Sequence, residues 1–255
     1  MMRESPWLAS VMTLHFDAPA ILAQLAFVEA QRQRRQGAPD LKARVEAIKK
    51  YQQQRFTHTY ADLLASERYR GAARFFLDEM YGPQDFADRD AQLARVVPAL
   101  VRLFTAEVVD VVGTVVSLHA LSEQLDSTMG QALPDALPGA QGYIVAWQAT
   151  GEPALRERQI ALTVEVGAAL DRLVHKSLLR RSLHFMRGPA RLAGLADLQA
   201  FLERGFEAFR AMQGADQFLA LVAQRERQLA AALFNANDAA AVQAACALLP
   251  PATPQ

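Results

Sequence analysis

Apolar residues along this chain recur at three- and four-residue steps rather than at every second position, the period of helices that bury one face. The longest such row is Leu93, Val97, Leu100, Phe104, Val108, Val111, Val115, Leu118 and Leu125. Val96, Leu103, Val112, Val116 and Leu121 widen it. The spacing predicts one long helix over about 86–128, buried on most sides. Pro98 lies inside that row and predicts a bend, because proline frees the carbonyl four residues earlier. No run alternates apolar and polar residues between hairpin turns, so strands are not expected.

The flanking segments read the same way. Asp17 is placed to cap a first helix over 19–35, with Pro19 in its first turn. Gly37 to Asp40 separates it from a second helix that ends near Arg55. A helix over 67–80 stops at Gly82-Pro83, and Asp85 caps the long rod that follows. Residues 131–142 are rich in proline and glycine and mark a candidate subdomain boundary. A short helix over 143–149 comes next, then a longer one from Pro153 to about Leu183. Gly188-Pro189 predicts another break. Helices over 196–212 and 216–234 follow, and Asp238 caps a last helix to Leu249. Together these predict an all-α, single-domain multi-helix bundle over 1–249, built around the rod at 86–128. A globin-like arrangement is one form such a bundle takes. Residues 250–255 are expected to be a disordered tail.

Two segments are specified almost residue by residue. One holds Phe75-Phe76-Leu77, Tyr81-Gly82-Pro83, Asp85-Phe86 and Arg89-Asp90-Ala91-Gln92. The other holds Arg187-Gly188-Pro189-Ala190, Ala193-Gly194-Leu195, Leu198-Gln199 and Phe201 to Phe206. Together they resemble an uncharacterised family of bacterial helical proteins. The resemblance implies a shared helical fold and a bacterial origin, and it implies no activity, substrate or cofactor.

Composition narrows the function classes. Basic and acidic residues both number 27, so the formal net charge is zero, against the excess of positive charge usual in nucleic-acid binders. The moderately basic segment Arg32 to Arg55 has few aromatic platforms for bases, and a solvated helix face is expected there. The single cysteine, Cys246, is expected to be a buried small residue, and it fits a reducing cytoplasm. The N-terminus is too broken by Ser10, Thr13 and His15 to read as a signal peptide. The most apolar stretch, Val96 to Leu121, carries Arg102, Glu107 and Asp110, so no membrane span is expected.

Four constellations carry candidate chemistry. The acidic turn Asp78, Glu79, Asp85, Asp88 and Asp90 matches no calcium-loop spacing, and helix capping is expected of it rather than metal binding. Its aromatics, Phe75, Phe76, Tyr81 and Phe86, are expected in the core. The stretch between Asp171 and Asp197 holds no acid but contains Arg172, Lys176, Arg180, Arg181, Arg187 and Arg191. Arg172, Lys176 and Arg180, four residues apart, predict one basic helix face, a site for an anion or an acidic partner. That run is also expected to dock on the acidic turn, so that charge reversal at Arg180 and Arg181 would destabilise the fold. Among the histidines, His119 and His184 are the candidate ligands should the protein sense haem or another small ligand. Glu107 and Asp110 share a face of the long helix and are the candidate acid–base pair, although no nucleophile elbow, phosphate loop or dinucleotide fingerprint accompanies them. The reading expected is therefore a non-enzymatic interaction or regulatory module with a protein partner or a second copy, ahead of a ligand sensor and of an enzyme.

Overall fold

The computed structural model of the protein describes residues 15–80, 86–133 and 139–251. Among these residues every regular element is helical. The helices are α1 (Ala18–Gln36), α2 (Pro39–Thr59), α3 (Ala61–Ala65), α4 (Arg70–Phe75), α5 (Ala87–Leu103), α6 (Ala106–Ala132), α7 (Ala140–Thr150), α8 (Pro153–Val174), α9 (Ser177–Leu192), α10 (Ala196–Met212), α11 (Asp216–Phe234) and α12 (Ala239–Ala247). A π-helical turn, Phe76–Met80, continues α4. The fold is an all-α, multi-helix bundle.

Local chemistry sets several helix ends. The Asp17 carboxylate accepts from the Ala20 amide at 2.8 Å, and Asp238 does the same for Ala241 at 2.8 Å. Each satisfies one of the first amides that no helical carbonyl can reach. Helix α9 ends in a six-to-one bond, Leu195 N–H to the Ala190 carbonyl at 2.8 Å, wrapped around left-handed Gly194. The expected cap at Asp85 and the stop at Gly82-Pro83 lie outside the described residues, as does Tyr81.

The rod predicted over 86–128 is two helices. A straight helix of that length would measure about 65 Å, while a chain of this size packs into a body about 45–50 Å across. The chain instead turns at Phe104 and Thr105, both extended. The turn leaves Leu103 and Phe104 exposed, and the apolar row resumes on α6. Pro98 lies within α5 without ending it. The helix expected from Pro153 to Leu183 also divides, at His175-Lys176. Gly188-Pro189, by contrast, does not break the chain, and α9 runs through both. Gly188 has no Cβ to strike the following proline ring, and it lies in open space. The carbonyl that Pro189 cannot bond belongs to Phe185, a residue exposed at the surface, so the lost bond is not one of the buried core.

Helix α6 is the axis on which the others are arranged. It packs against α1, α2, α7 and α8, so helices from both sides of the 131–142 connection meet on it. Its length and hydropathy match a membrane span, yet these four neighbours enclose it and its buried carboxylates have partners among them. Around this axis Ile21, Leu25, Val97, Val109 and Val116 join α1, α5 and α6. At the opposite end Phe75, Phe76, Phe206, Phe209 and Phe218 form an aromatic cluster, in which the rings of Phe76 and Phe218 stack at 6.0 Å. Phe75 and Phe76 are thus core residues, as the sequence suggested. Phe86 is half-buried, with the Arg89 guanidinium 4.0 Å above its ring.

Close helix approach depends on glycine at two α6 and α8 positions. A Cβ on Gly130 would lie 2.6 Å from Val45 Cγ2 of α2, and one on Gly167 would lie 2.3 Å from Leu219 of α11. Gly130→Ala is expected to lower unfolding free energy by about 1–3 kcal/mol, since a stiff valine must move. Gly71→Ala in α4, where the added methyl meets Ala208 no closer than 3.7 Å, is expected to raise it by about 0.5–1 kcal/mol. Denaturant titration of the two variants checks both signs.

Candidate functional site

The basic run does not form the single helical face that its four-residue spacing predicts. Arg172 sits in the last turn of α8, Lys176 lies between helices, and Arg180, Arg181 and Arg187 stand on α9. The break at His175-Lys176 rotates the second half of the run onto a separate surface helix. There the exposed apolar residues line up as well. Leu178, Phe185 and Leu192, seven residues apart and so on one face, are 77%, 76% and 93% exposed. The opposite face of α9 turns Leu179 and Leu183 toward the aromatic cluster and buries Ala190.

Side-chain bonds hold α9 to its neighbours. Arg187 Nε donates to Glu203 on α10 at 2.7 Å, and Gln199 donates to the Leu183 carbonyl at 2.7 Å. The Arg187 hydrogen bond holds the Glu203 carboxyl below its usual range. Lys176 pairs with Glu107 at the start of α6. Among the described residues Arg172, Arg180, Arg181 and Arg191 make no ion pair. Between α9 and α10 lies a groove of about 510 Å³, lined by Arg180, Arg181, His184, Arg187 and Arg210 with Glu203 and Glu207.

The expected docking of the acidic turn on this basic run is not what the structure shows among the described residues. Glu79 pairs with Arg204 at 2.7 Å and lies 3.9 Å from Arg89. Asp90 accepts from Arg32 at 2.9 Å and lies 3.0 Å from His119 Nε2. Burial pushes the Asp90 carboxyl up, but His119 and Arg32 outweigh it and hold the group below its usual range. Asp85 lies outside the described residues. The two candidate ligand histidines are not brought together: His119 faces Asp90 beside the Phe86 ring, and His184 is exposed on α9 beside Phe185. Glu107 and Asp110 are engaged separately, Glu107 with Lys176, and Asp110 with the Phe16 amide at 3.0 Å and His15 at 3.4 Å. Cys246 is half-buried.

A second polar centre lies deeper, on α6. Glu123 is 5% exposed and accepts from Arg35 of α1 at 2.5 Å and from Lys49 of α2. Arg35 also donates to Ser127 at 3.0 Å. One turn on, buried Asp126 accepts from Gln52 at 3.1 Å. Burial pushes the Glu123 carboxyl up, but Lys49 and Arg35 outweigh it and hold it at about 2. Burial wins at Asp126, whose carboxyl is pushed up. Two carboxylates three residues apart therefore shift in opposite directions, because the cations that outweigh burial at Glu123 do not outweigh it at Asp126.

Residues 31–240 match the family model described as a domain of unknown function, DUF8198. This chain belongs to the DUF8198 family. No curated protein and no solved structure matches it. The DUF8198 range takes in Glu123, Lys49, the α9–α10 groove and both of the tightly specified sequence segments. Glu123 and Asp126 were legible in principle, as carboxylates three apart on the helix that carries the apolar row. Their partners were not, because Arg35 and Lys49 arrive from helices some 75–90 residues away.

Glu123 has a folded value of about 2 against 4.5 for an ordinary glutamate, so the stability it contributes is complete above pH 4.5 and is lost as pH falls toward 2. Glu123→Gln leaves buried Arg35 and half-buried Lys49 facing an amide. It is expected to cost about 3–5 kcal/mol at neutral pH and to flatten that acid limb. Thermal melts of both proteins from neutral pH to pH 2 test the prediction.

Proposed function

We propose that this DUF8198 protein is a non-enzymatic docking module, and that the α9–α10 face receives an acidic amphipathic segment of a partner protein. The observation that carries this reading is the coincidence, on one helix, of three exposed apolar residues on one face with exposed Arg180, Arg181 and Arg191, which make no ion pair among the described residues. Such a face offers apolar anchoring together with charge complementarity to an incoming acidic helix. A second copy of the chain is disfavoured, because a symmetric contact through α9 would set arginine against arginine. An anionic membrane surface is the competing partner, and the vesicle arm of the test separates it. The engagement of Glu107 and Asp110 with separate partners supports a structural role for them rather than a shared acid–base one.

The test uses a designed helical peptide with leucines in register and glutamates on the flanks, followed by fluorescence anisotropy with the full chain. Binding is expected to weaken as salt rises and to fall at least tenfold in Arg180→Glu/Arg181→Glu and in Phe185→Ser. These side chains are exposed, and the arginines lack ion pairs among the described residues, so melting should stay within about 0.5 kcal/mol of the parent. That outcome would count against the expectation that charge reversal destabilises the protein. No peptide binding, equal binding by a lysine-flanked peptide, or preferential binding to anionic vesicles would overturn the reading.

A further inference from the structure

The groove between α9 and α10 adjoins the docking face and has a charge distribution of its own. Arg181 links the two. It stands three residues after Leu178 and four before Phe185, on the side of α9 that carries the exposed apolar row, and it also lines the groove. Arg180, His184 and Arg187, again three and four residues apart, line the groove from α9. Glu203, Glu207 and Arg210 line it from α10 at the same spacing.

The charges are answered at one end only. Arg187 Nε donates to Glu203 Oε1 at 2.7 Å, and Gln199 donates to the same oxygen at 2.8 Å. The hydrogen bond to Glu203, with the charge of Glu207 adding to it, raises the Arg187 guanidinium above its ordinary value, so both acids act on Arg187. Two helical turns away on each helix, seven residues before Arg187 and seven after Glu203, stand Arg180 and Arg210. The connection over residues 193–195 is short, which sets packed helices in opposite senses. The two-turn step therefore carries both helices toward the same end of the groove. There Arg180, Arg181 and Arg210 make no ion pair among the described residues. All three are exposed and so within reach of a group that enters the groove.

The excess has a definite size. The lining sets four arginines against two glutamates, which leaves two positive charges over. A carboxylate of an incoming segment brings one negative charge. A phosphorylated serine brings about −1.5 to −2 near neutral pH, on three acceptor oxygens. The guanidinium fork binds such oxygens in pairs, so several arginines can share one phosphoryl group. A groove of about 510 Å³ has room for the whole phosphorylated side chain.

We propose that the acidic segment received by α9 carries a phosphorylated serine, whose phosphoryl group is bound in the groove by Arg180, Arg181 and Arg210. This rests on the docking reading above and gives it a switch. Phosphorylation of the partner strengthens docking, and loss of the phosphoryl group weakens it. Arg187 stays with Glu203 and ties α9 to α10 in either state.

The experiment follows, by fluorescence anisotropy with the full chain, one designed helical peptide with leucines in register. Each flanking position in turn holds phosphoserine, glutamate or serine. Phosphoserine at its best position is expected to bind at least about tenfold tighter than glutamate there. Arg210→Gln lies off the apolar row. It is expected to abolish that gain while the glutamate peptide still binds within about twofold of the parent. Arg210 has no ion pair among the described residues, so the variant should melt with the parent. Inorganic phosphate, against chloride at matched ionic strength, is expected to erase the phosphoserine gain and to leave the glutamate peptide bound. Equal binding of the phosphoserine and glutamate peptides would overturn this inference and leave the docking reading standing. No binding of any peptide would overturn both. A phosphoserine gain that survives in Arg210→Gln would place the anion elsewhere and overturn the inference. Inorganic phosphate bound without any gain for phosphoserine would make free phosphate the ligand, with the same consequence. The comparison of peptides on the parent chain decides the matter should the variant fail to fold.

Discussion

The buried contact of Glu123 with Arg35 and Lys49 is the constraint on which the rest of the structure depends. Burying one carboxylate and two cations is unfavourable unless they meet, and here they meet only when α1, α2 and α6 are in one register. Apolar packing alone would tolerate a slide of one turn along α6, since valine and leucine recur along it at helical spacing. A charged triad does not tolerate it. The glycine at Gly130, which lets Val45 of α2 come close, is the steric counterpart of the same fixed register. With these three helices set, α7 and α8 have a defined surface on which to pack.

The bundle then divides its labour by depth. Among the described residues the interior charges Arg35, Glu123 and Arg55 meet partners, while buried atoms of Arg44, Tyr51, Tyr143, Trp147 and Asp171 have no hydrogen bond. The periphery holds α9, attached along one side and presenting arginines and large apolar groups on the other. A helix so placed adds little to the core, yet it leaves Leu178, Phe185 and Leu192 facing water. This contrast sets α9 apart from the enclosed interior.

Much of the helix inventory was legible in the sequence because it rests on local physics. Asp17 and Asp238 cap the helices they were expected to cap, since a cap needs only an amide two or three residues on. Helix divisions were less legible. The break at Phe104-Thr105 carries no proline or glycine; it follows from the size of the body into which α5 and α6 must fit. The opposite error came at Gly188-Pro189, where surface exposure lets the helix continue. Of the candidate site residues, the α9 arginines could be picked out as a run without acids, but their partners could not. Glu107 reaches Lys176 and Glu203 reaches Arg187 through tertiary contacts that no spacing encodes. The unpaired buried donors of Arg55, Tyr143 and Trp147 were invisible for the same reason, as they lie on two different helices, α2 and α7.

The central claim is that a register-locked α6 forms the rigid interior while α9 is a presented, one-sided helix. Hydrogen exchange of the full chain, read amide by amide, tests it most directly. The account predicts the slowest exchange in α6 around Glu123 to Ser127, approaching the rate of global unfolding, and exchange in α9 faster by orders of magnitude. Protection of α9 equal to that of α6, or an α6 that exchanges like a surface helix, would contradict it.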